Sequence, residues 1–260
     1  MKLFNAKIIA NHPINARYWH MILDASMLDE HVAPGQFFHL QCGDAQQNPL
    51  RRPLSVFHYH QASATLEFLY LVKGSGTQQM AQRRPGDYMN LIGPLGRGFT
   101  LPEQGALLLI ARGVGVATLH ALAREARAQN KAVHVLLSAR TANDLLTAGA
   151  LEEIGAVVHT VTDQEGTSDL QQVRPLLEQL IRDEKIGALY SCGSRRLSKL
   201  AQDLAEKYHL KGELAIEAHM ACGIGDCYAC ACTIRSQGQL KTARVCSDGP
   251  VFPIEQVVIQ

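Results

Sequence analysis

The sequence has no excess of charge of either sign and no long hydrophobic run. Charged residues make up 19% of its 260 residues, and the formal net charge is +1. Without a cluster of like charges, the chain offers no electrostatic surface for nucleic acid or an anionic membrane. It also lacks the roughly 18 consecutive apolar residues of a membrane-spanning helix, and its start lacks the apolar segment of a signal peptide. We therefore expect a soluble, cytoplasmic protein that binds neither nucleic acid nor membranes.

Cysteine is scarce over most of the chain and concentrated near its end. Five of the seven cysteines lie between Cys222 and Cys246, whereas Cys42 and Cys192 stand alone. A framework of disulfides is rare in a cytosolic chain, where thiols are kept reduced. A dense group of cysteines in such a chain more often binds a metal or a redox group.

The texture of the sequence changes twice, which predicts a multidomain β plus α/β protein with three domains. Residues 1–100 hold short apolar runs between prolines and glycines, typical of an antiparallel β-barrel or sandwich, with a short helix after Gly76. Residues 101–216 alternate apolar runs with amphipathic segments, which predicts a doubly wound parallel sheet. Residues 217–260 are too few for a core of their own and are expected to be held by a metal centre.

Four cysteines follow the spacing C-x4-C-x2-C with a more distant fourth, which is the ligand spacing of plant-type [2Fe–2S] sites. They are Cys222, Cys227, Cys230 and Cys246. Glycines between the first two let the loop turn tightly and aim backbone N–H groups at the sulfurs. The alternative is a structural zinc site, although zinc sites usually pair two short Cys-x-x-Cys units. Cys232 is expected to be a small buried residue without a ligand role.

Residues 51–55 are the first candidates for binding a flavin. An arginine beside a rigid proline and a serine can clamp a pyrophosphate; the alternative is a surface turn with solvated arginines. Tyr70 is a candidate to stack on an aromatic cofactor, and the glycine-rich turn at 74–77 precedes a helix, as phosphate-binding turns do. For residues 93–99 we expect an interdomain turn rather than a direct role in ligand binding. The candidate residues are Arg52, Pro53, Leu54, Ser55, Leu69, Tyr70, Leu71, Gly76 and Thr77.

Gly113 and Gly115 lie between a predicted strand and a predicted helix, where a doubly wound fold binds nucleotide phosphates. Thr118 takes the place of the third glycine of the G-x-G-x-x-G fingerprint. Cys192 ends a later strand at the same edge, where a small side chain would let a nicotinamide ring approach the flavin; the alternative is an ordinary buried thiol. Residues 138–140 are candidates to contact the adenosine ribose or a 2′-phosphate, and NADH and NADPH both stay open.

A flavin barrel, a nucleotide domain and a [2Fe–2S] tail, in this order, resemble the ferredoxin-reductase superfamily. Over its whole length the chain is most similar to the electron-transfer subunits of class 1B dihydroorotate dehydrogenase. The most specific blocks are residues 220–230 and 245–252. The resemblance implies that residues 52–55, 69–71 and 76–77 bind FAD and that the four spaced cysteines bind the cluster.

The resemblance also implies a partner and a pathway. A catalytic FMN-containing subunit would oxidise dihydroorotate in pyrimidine biosynthesis, and electrons would pass through [2Fe–2S] and FAD to NAD⁺ in a heterotetramer. No general acid or base is expected in this chain, because hydride transfer at a flavin requires none. The alternatives are the electron-transfer subunit of another flavoenzyme such as a bifurcating ferredoxin–NADP oxidoreductase, a stand-alone NAD(P)H-dependent reductase, and a non-catalytic zinc-held binding module.

Five places depart from the family pattern. Leu71 stands where the family commonly has arginine, which implies one phosphate contact fewer. Residues 111–112 replace glycines, Thr118 and Ser194 replace prolines, and Asp226 replaces alanine in the cluster loop. These departures concentrate around the nicotinamide site, so they bear on nucleotide use and on the partner more than on the cofactors.

Overall fold

A computed structural model describes residues 1–43, 46 and 48–259. Positions 44, 45, 47 and 260, which the predicted first and third domains include, lie outside the described residues. The first part is a seven-stranded antiparallel sheet with a short helix. Its elements are β1 (Lys2–Pro13), β2 (Tyr18–Asp24), β3 (Phe37–Leu40), β4 (Arg52–Ser55), β5 (His58–His60), β6 (Thr65–Leu71), α1 (Ser75–Ala81) and β7 (Tyr88–Leu95).

The strands of this sheet follow the order β4-β3-β7-β1-β2-β6-β5 and enclose one hydrophobic core. In β1 the side chains of Phe4, Ala6 and Ile8 are buried while the residues between them are exposed. This alternation has the period of two that places one strand face on a core. The two outer strands, β4 and β5, follow each other in the chain, so the sheet curls back on itself. The predicted antiparallel barrel is therefore confirmed.

One local expectation for this part is wrong. Residues 93–95 belong to β7 rather than to an interdomain turn. Glycine and proline usually argue against a strand, which is why β7 was not expected to reach so far. Only glycine fits at position 93, because the ring of Phe38 occupies the space that a Cβ would need there.

The second part is a parallel α/β sheet. Its elements are β8 (Ala106–Arg112), a 3₁₀ turn (Gly113–Gly115), α2 (Val116–Ala128), β9 (Val133–Ala139), a second 3₁₀ turn (Ala142–Asp144), α3 (Ala148–Glu153), β10 (Val157–Thr162), α4 (Leu170–Asp183), β11 (Ile186–Cys192), α5 (Arg195–Tyr208) and β12 (Lys211–Ala215). Helices α2 and α3 pack on one face and helices α4 and α5 on the other. The predicted doubly wound sheet is confirmed, although the short helix α3 was not expected. Among the described residues, no helix combines the length and the apolar character needed to cross a membrane.

The last part adds β13 (Ala231–Ser236), β14 (Gln239–Arg244) and β15 (Val251–Pro253). Strand β15 pairs with β12 as an antiparallel edge, so the α/β sheet has the order β10-β9-β8-β11-β12-β15. The cysteine loop between β12 and β13 shares a core with the barrel, in which Phe37 and Leu95 pack near Met220 and Val245. As its length predicts, this part is buried against its neighbours rather than around a core of its own.

The barrel and the α/β part touch along β2, β6 and helix α2. The hydroxyl group of Tyr18 lies 3.3 Å from where a Cβ of Gly113 would stand. The rings of Phe57 and His120 stack with centroids 4.2 Å apart, and Leu69 packs near Phe57 in the same cluster. These contacts bring the flavin candidate Leu69 close to the predicted nucleotide loop.

Candidate cofactor and nucleotide sites

The four spaced cysteines meet at one end of the barrel in two pairs. The sulfurs of Cys230 and Cys246 are both buried and lie 3.2 Å apart. The backbone N–H of Cys227 donates to the sulfur of Cys222 over 3.4 Å. No three His, Cys, Asp or Glu side chains in the described ranges surround one point, as a single metal ion would require. Paired thiols suit a [2Fe–2S] cluster, in which each of two irons takes two thiolates.

The electrostatics of the two pairs differ. Burial tends to raise the pKa of the Cys222 thiol, but the backbone N–H groups of Cys227 and Ile224 outweigh it and lower that pKa to about 6. Burial, together with the neighbouring Cys230, raises the pKa of Cys246 to about 12. Cys246 thus needs the positive charge of bound iron to become a thiolate, as metal-ligating cysteines do. The residues present therefore fit an iron–sulfur cluster.

The loop between Cys222 and Cys227 depends on two glycines and one arginine. Gly223 and Gly225 have φ values of +74° and +91°, which side chains with a Cβ rarely adopt. The guanidinium of Arg244 donates to the carbonyl of Gly225 over 2.9 Å and pairs with Asp248 at 3.3 Å. Arg244 thus braces the loop from strand β14. The sequence did not single out Arg244, because its contact is made between residues far apart in the chain.

Cys232 lies outside both pairs. It is half-buried on β13 and lines a cavity of about 550 Å³ between the start of α5 and strands β12 and β13. Burial, the Cys230 thiol and the carboxylate of Asp248 raise the pKa of Cys232. The expectation of a small buried residue is corrected: Cys232 is half-buried, because one side of this residue faces the cavity. That Cys232 is not a cluster ligand stays a prediction.

The two arginines of the predicted flavin segment serve different purposes. Arg51 donates to the backbone carbonyls of His39 and Asn90 and to the side chain of Asn90, which ties it to β3 and β7. Arg52 instead turns toward helix α1, and a Cβ at Gly76 would stand 3.5 Å from its Nε and Nη2 atoms. A guanidinium beside the first turn of a helix is a combination of donors that binds phosphate oxygens. Arg52 and Gly76 therefore fit the pyrophosphate of FAD.

The structure also gives the surroundings of two other flavin candidates, Thr77 and Ser55. The side-chain oxygen of Thr77 accepts hydrogen bonds from the backbone N–H groups of Lys73 at 2.9 Å and Gly74 at 3.2 Å, so it shapes the turn before α1. Ser55 ends β4 beside Pro53 and Leu54 and is only half-buried, so its hydroxyl is accessible to a flavin.

The expectation that the ring of Tyr70 stacks on a cofactor is corrected by the structure. Tyr70 is buried in the barrel core, and its hydroxyl donates to Asn11 over 2.9 Å. Side chains alternate along β6, so Leu69 and Leu71 face the α/β part instead. Only the backbone of Tyr70 remains available to a cofactor, whereas Leu69 and Leu71 lie on the side where the nucleotide loop approaches.

The nucleotide candidates meet where β8 and β11 lie side by side. From β8 the sheet continues to β9 and β10 on one side, and from β11 it continues to β12 on the other. The strand order therefore reverses between β8 and β11, and doubly wound sheets bind ligands at this point. A Cβ at Gly115 would stand 2.7 Å from the backbone of both Cys192 and Gly193, so the two loops touch. Cys192 itself is buried, and burial raises the pKa of its thiol, with the carboxylate of Glu217 adding to the effect. Its neutral thiol suits both alternatives left open by the sequence.

A polar network that the sequence did not predict crosses the same edge of the sheet. Arg112, at the end of β8, donates to the hydroxyl of Ser138 over 2.6 Å and to the carboxylate of Asp163 over 2.5 Å. The guanidinium of Arg112 and the hydroxyl of Ser168 hold the pKa of Asp163 below its usual range. Asp163 follows strand β10, and only the strand order brings it beside residues 138–140. The network therefore lies where the adenosine end of a nucleotide is expected.

Together, the curled barrel and the doubly wound sheet define a protein with the ferredoxin-reductase fold. The solved structure of an NADH-dependent reduced ferredoxin–NADP oxidoreductase superimposes with a TM-score of 0.83 at 24% identity and covers 98% of this chain and 90% of its own. A ferredoxin–NADP⁺ reductase from Plasmodium falciparum superimposes with a TM-score of 0.63 at 15% identity, covering 78% and 89%. These likenesses confirm the predicted fold class.

Sequence comparison identifies the family. Residues 217–258 match the model of the iron–sulfur cluster binding domain of dihydroorotate dehydrogenase B. The electron transfer subunit of dihydroorotate dehydrogenase B (NAD(+)) from Desulforamulus reducens is 35% identical over 258 residues, 99% of this chain and 98% of that protein. That of Caldanaerobacter subterraneus subsp. tengcongensis is 33% identical over 97% of both. The chain belongs to this family of electron transfer subunits, which confirms the resemblance and the prediction of an oxidoreductase subunit.

Replacing Cys246 by alanine is expected to abolish cluster binding, because the buried pair would lose one of its two iron ligands. Replacing Cys232 by alanine removes a thiol from the same region and is expected to leave the cluster in place. Iron and acid-labile sulfide per chain, measured on anaerobically purified protein, would distinguish the two variants. Loss of sulfide from the Cys232→Ala protein with full retention in Cys246→Ala would show that the ligand set is wrong.

Replacing Arg52 by glutamine is expected to weaken FAD binding. A hydrogen bond to a charged group contributes about 1.5–3 kcal/mol, which corresponds to a roughly ten- to hundredfold change in the dissociation constant. The measurement is a flavin fluorescence titration of the apoprotein, with the exposed Arg84→Gln variant as the control. Equal FAD affinity in the two variants would mean that Arg52 makes no contact with the phosphates.

Replacing Asp163 by asparagine is expected to shift nucleotide preference toward NADPH. The change frees the guanidinium of Arg112, which can then pair with a 2′-phosphate, so the ratio of NADPH to NADH affinity should rise roughly tenfold. Equilibrium titrations with both nucleotides would measure this ratio. The exposed Asp183, at the end of α4, provides a matched Asp→Asn control. An unchanged ratio would assign the Arg112–Asp163 pair a purely structural role.

Proposed function

We propose that this chain passes electrons between a partner flavoenzyme and NAD⁺ through a [2Fe–2S] cluster and FAD. The partner is a catalytic FMN-containing dihydroorotate dehydrogenase subunit, so the pathway is pyrimidine biosynthesis. The names of the relatives, which are NAD⁺-linked electron transfer subunits of dihydroorotate dehydrogenase B, support this assignment. The proposed division of labour gives FAD to residues 1–100, the nucleotide to residues 101–216 and the cluster to residues 217–260.

The observation that carries the proposal is that the barrel touches both neighbouring sites. On one side, Tyr18 of β2 pairs with the flavin candidate Leu71 of β6, and the Tyr18 hydroxyl lies against Gly113 of the candidate nucleotide loop. On the other side, Phe37 of β3 packs with Cys230 and Cys246. A flavin held by the barrel would therefore lie between a hydride donor or acceptor and a one-electron carrier.

Bound FAD would exchange hydride with the nucleotide and single electrons with the cluster, because a flavin is competent for both. The side chains of this protein hold and orient these groups. Arg52 and Gly76 provide the phosphate cradle, while Gly115 and Gly193 let two loops close on the nucleotide without steric conflict. No residue needs to move a proton in this scheme, which agrees with the neutral, buried state of the Cys192 thiol.

The rim of the cluster loop is the surface that we assign to the partner. Cys227 is exposed there, and the side chains of Ile224 and Tyr228 are 51% and 58% exposed. Apolar side chains beside a cluster ligand offer a desolvated contact through which electrons can pass between subunits. A heterotetramer in the cytoplasm, where free thiols stay reduced, is part of the same proposal.

Three measurements test the proposed function. In an anaerobic titration of the purified chain with NADH, the flavin and cluster bands are expected to bleach together, because both accept electrons from the nucleotide. After mixing with the catalytic subunit, the two proteins are expected to co-elute from a sizing column. Dihydroorotate should then reduce NAD⁺ only when both are present.

The failures of this test have separate meanings. Protein that dithionite bleaches but neither NADH nor NADPH bleaches would contradict nucleotide use by this chain. Normal bleaching without co-elution at micromolar concentration would contradict the choice of partner. A colourless preparation with bound zinc would replace the whole proposal with a zinc-held module.

A further inference from the structure

Strand β3 has two buried faces with different neighbours. Phe38 and Leu40 point into the barrel core, whereas Phe37 packs with the buried cysteine pair. Because side chains alternate along a strand, His39 shares the face of Phe37 and points toward the cluster loop. His39 is thus the one polar side chain of this strand, and it lies at the boundary between barrel and cluster loop.

The imidazole of His39 is fully buried, with 0% of the residue exposed. The backbones of Cys222 and Arg51 lie near the ring, but no hydrogen bond of normal geometry forms to either ring nitrogen within the described residues. Buried polar groups in folded proteins are nearly always hydrogen-bonded. We therefore expect this imidazole to form a hydrogen bond in the functional state of the protein. An imidazole carries at least one N–H in either protonation state, so it can always act as a donor.

The ring lies directly against the cluster loop. A Cβ at Gly223 would stand 2.5 Å from Nδ1 of His39, so only glycine fits beside this ring. Gly223 immediately follows Cys222, whose sulfur already accepts the backbone N–H groups of Ile224 and Cys227. His39 therefore approaches the loop next to a cluster ligand.

The same residue is also tied to the flavin segment. In the β3–β4 ladder, His39 lies opposite Pro53, and its neighbours Leu40 and Phe37 lie opposite Arg52 and Ser55. The backbone carbonyl of His39 also accepts a hydrogen bond from Arg51 over 3.3 Å. One residue therefore contacts both the strand that carries the flavin candidates and the loop that carries the cluster cysteines.

We propose that His39 is a positioning residue for the iron–sulfur cluster, which donates a ring N–H to the carbonyl oxygen or the thiolate of Cys222 when the cluster is bound. This inference rests on the cluster of the proposed function. A donor at a ligand residue favours the more negative, reduced cluster and so raises its reduction potential. His39 thereby sets the potential of the cluster relative to the flavin and fixes the loop against the barrel.

The test compares His39→Leu and His39→Phe, which remove the donor, with His39→Gln, which retains one in its amide. Wild type and the exposed His60→Leu variant serve as controls. Redox titration of each full-length protein, followed by electron paramagnetic resonance and visible absorbance, gives the cluster signal, the cluster potential and the flavin potential. The apolar variants are expected to show a lower cluster potential and an altered cluster signal with an unchanged flavin potential, and His39→Gln is expected to lie between them and wild type.

The outcomes separate this inference from the proposed function. If wild type shows no [2Fe–2S] signal, the proposed function fails first. If wild type shows the signal and the apolar variants match His60→Leu, the role of His39 is refuted. If the apolar variants lose the cluster while His39→Gln retains it, the need for a donor is supported. Loss of the cluster in all three variants would overturn the proposal in favour of a steric role.

Discussion

Strand β3, which has no solvent face, is the constraint on which the cofactor arrangement depends. One face completes the barrel core through Phe38 and Leu40, and the other closes the core of the cysteine region through Phe37. A strand that is buried on both sides cannot shift register by one residue without moving apolar side chains out of one core and into the other. Strand β4, which carries flavin candidates, pairs with β3, and the cysteine loop packs on β3. The distance between these two candidate sites is therefore set by β3.

A second constraint is the contact of two loops at the centre of the α/β sheet. Gly115 and Gly193 approach so closely that a Cβ on either would collide with the backbone of the other loop. This contact lies where the strand order reverses, which is where open α/β sheets leave a crevice for a ligand. The third glycine of the usual fingerprint is absent, and Thr118, which takes its place, is buried in the first turn of α2.

The arginines show how the same residue type takes opposite roles in neighbouring positions. Arg51 donates to backbone carbonyls of β3 and β7, whereas the guanidinium of Arg52 donates only to the nearby carbonyls of Leu50 and Arg51 and lies beside helix α1. Arg112 replaces a glycine of the family pattern, and its charge is neutralised by Asp163. A departure that suggested altered nucleotide use thus has a partner within the chain, and the pair brings both a cation and an anion to the candidate nucleotide site.

Sequence alone determined the features whose cause is local. The spacing of the cysteines predicted the cluster loop, the alternation of apolar residues predicted the fold class, and the glycines after β8 predicted the nucleotide loop. Each of these patterns depends on residues within a few positions of one another. It also exposed the family through the blocks at 220–230 and 245–252. Tertiary structure decided what depends on distant pairs: the burial of Tyr70 in the barrel core, the brace from Arg244, the Arg112–Asp163 network and the position of His39. The direction of a strand's faces and the order of strands in a sheet bring these residues together, and no local pattern encodes either.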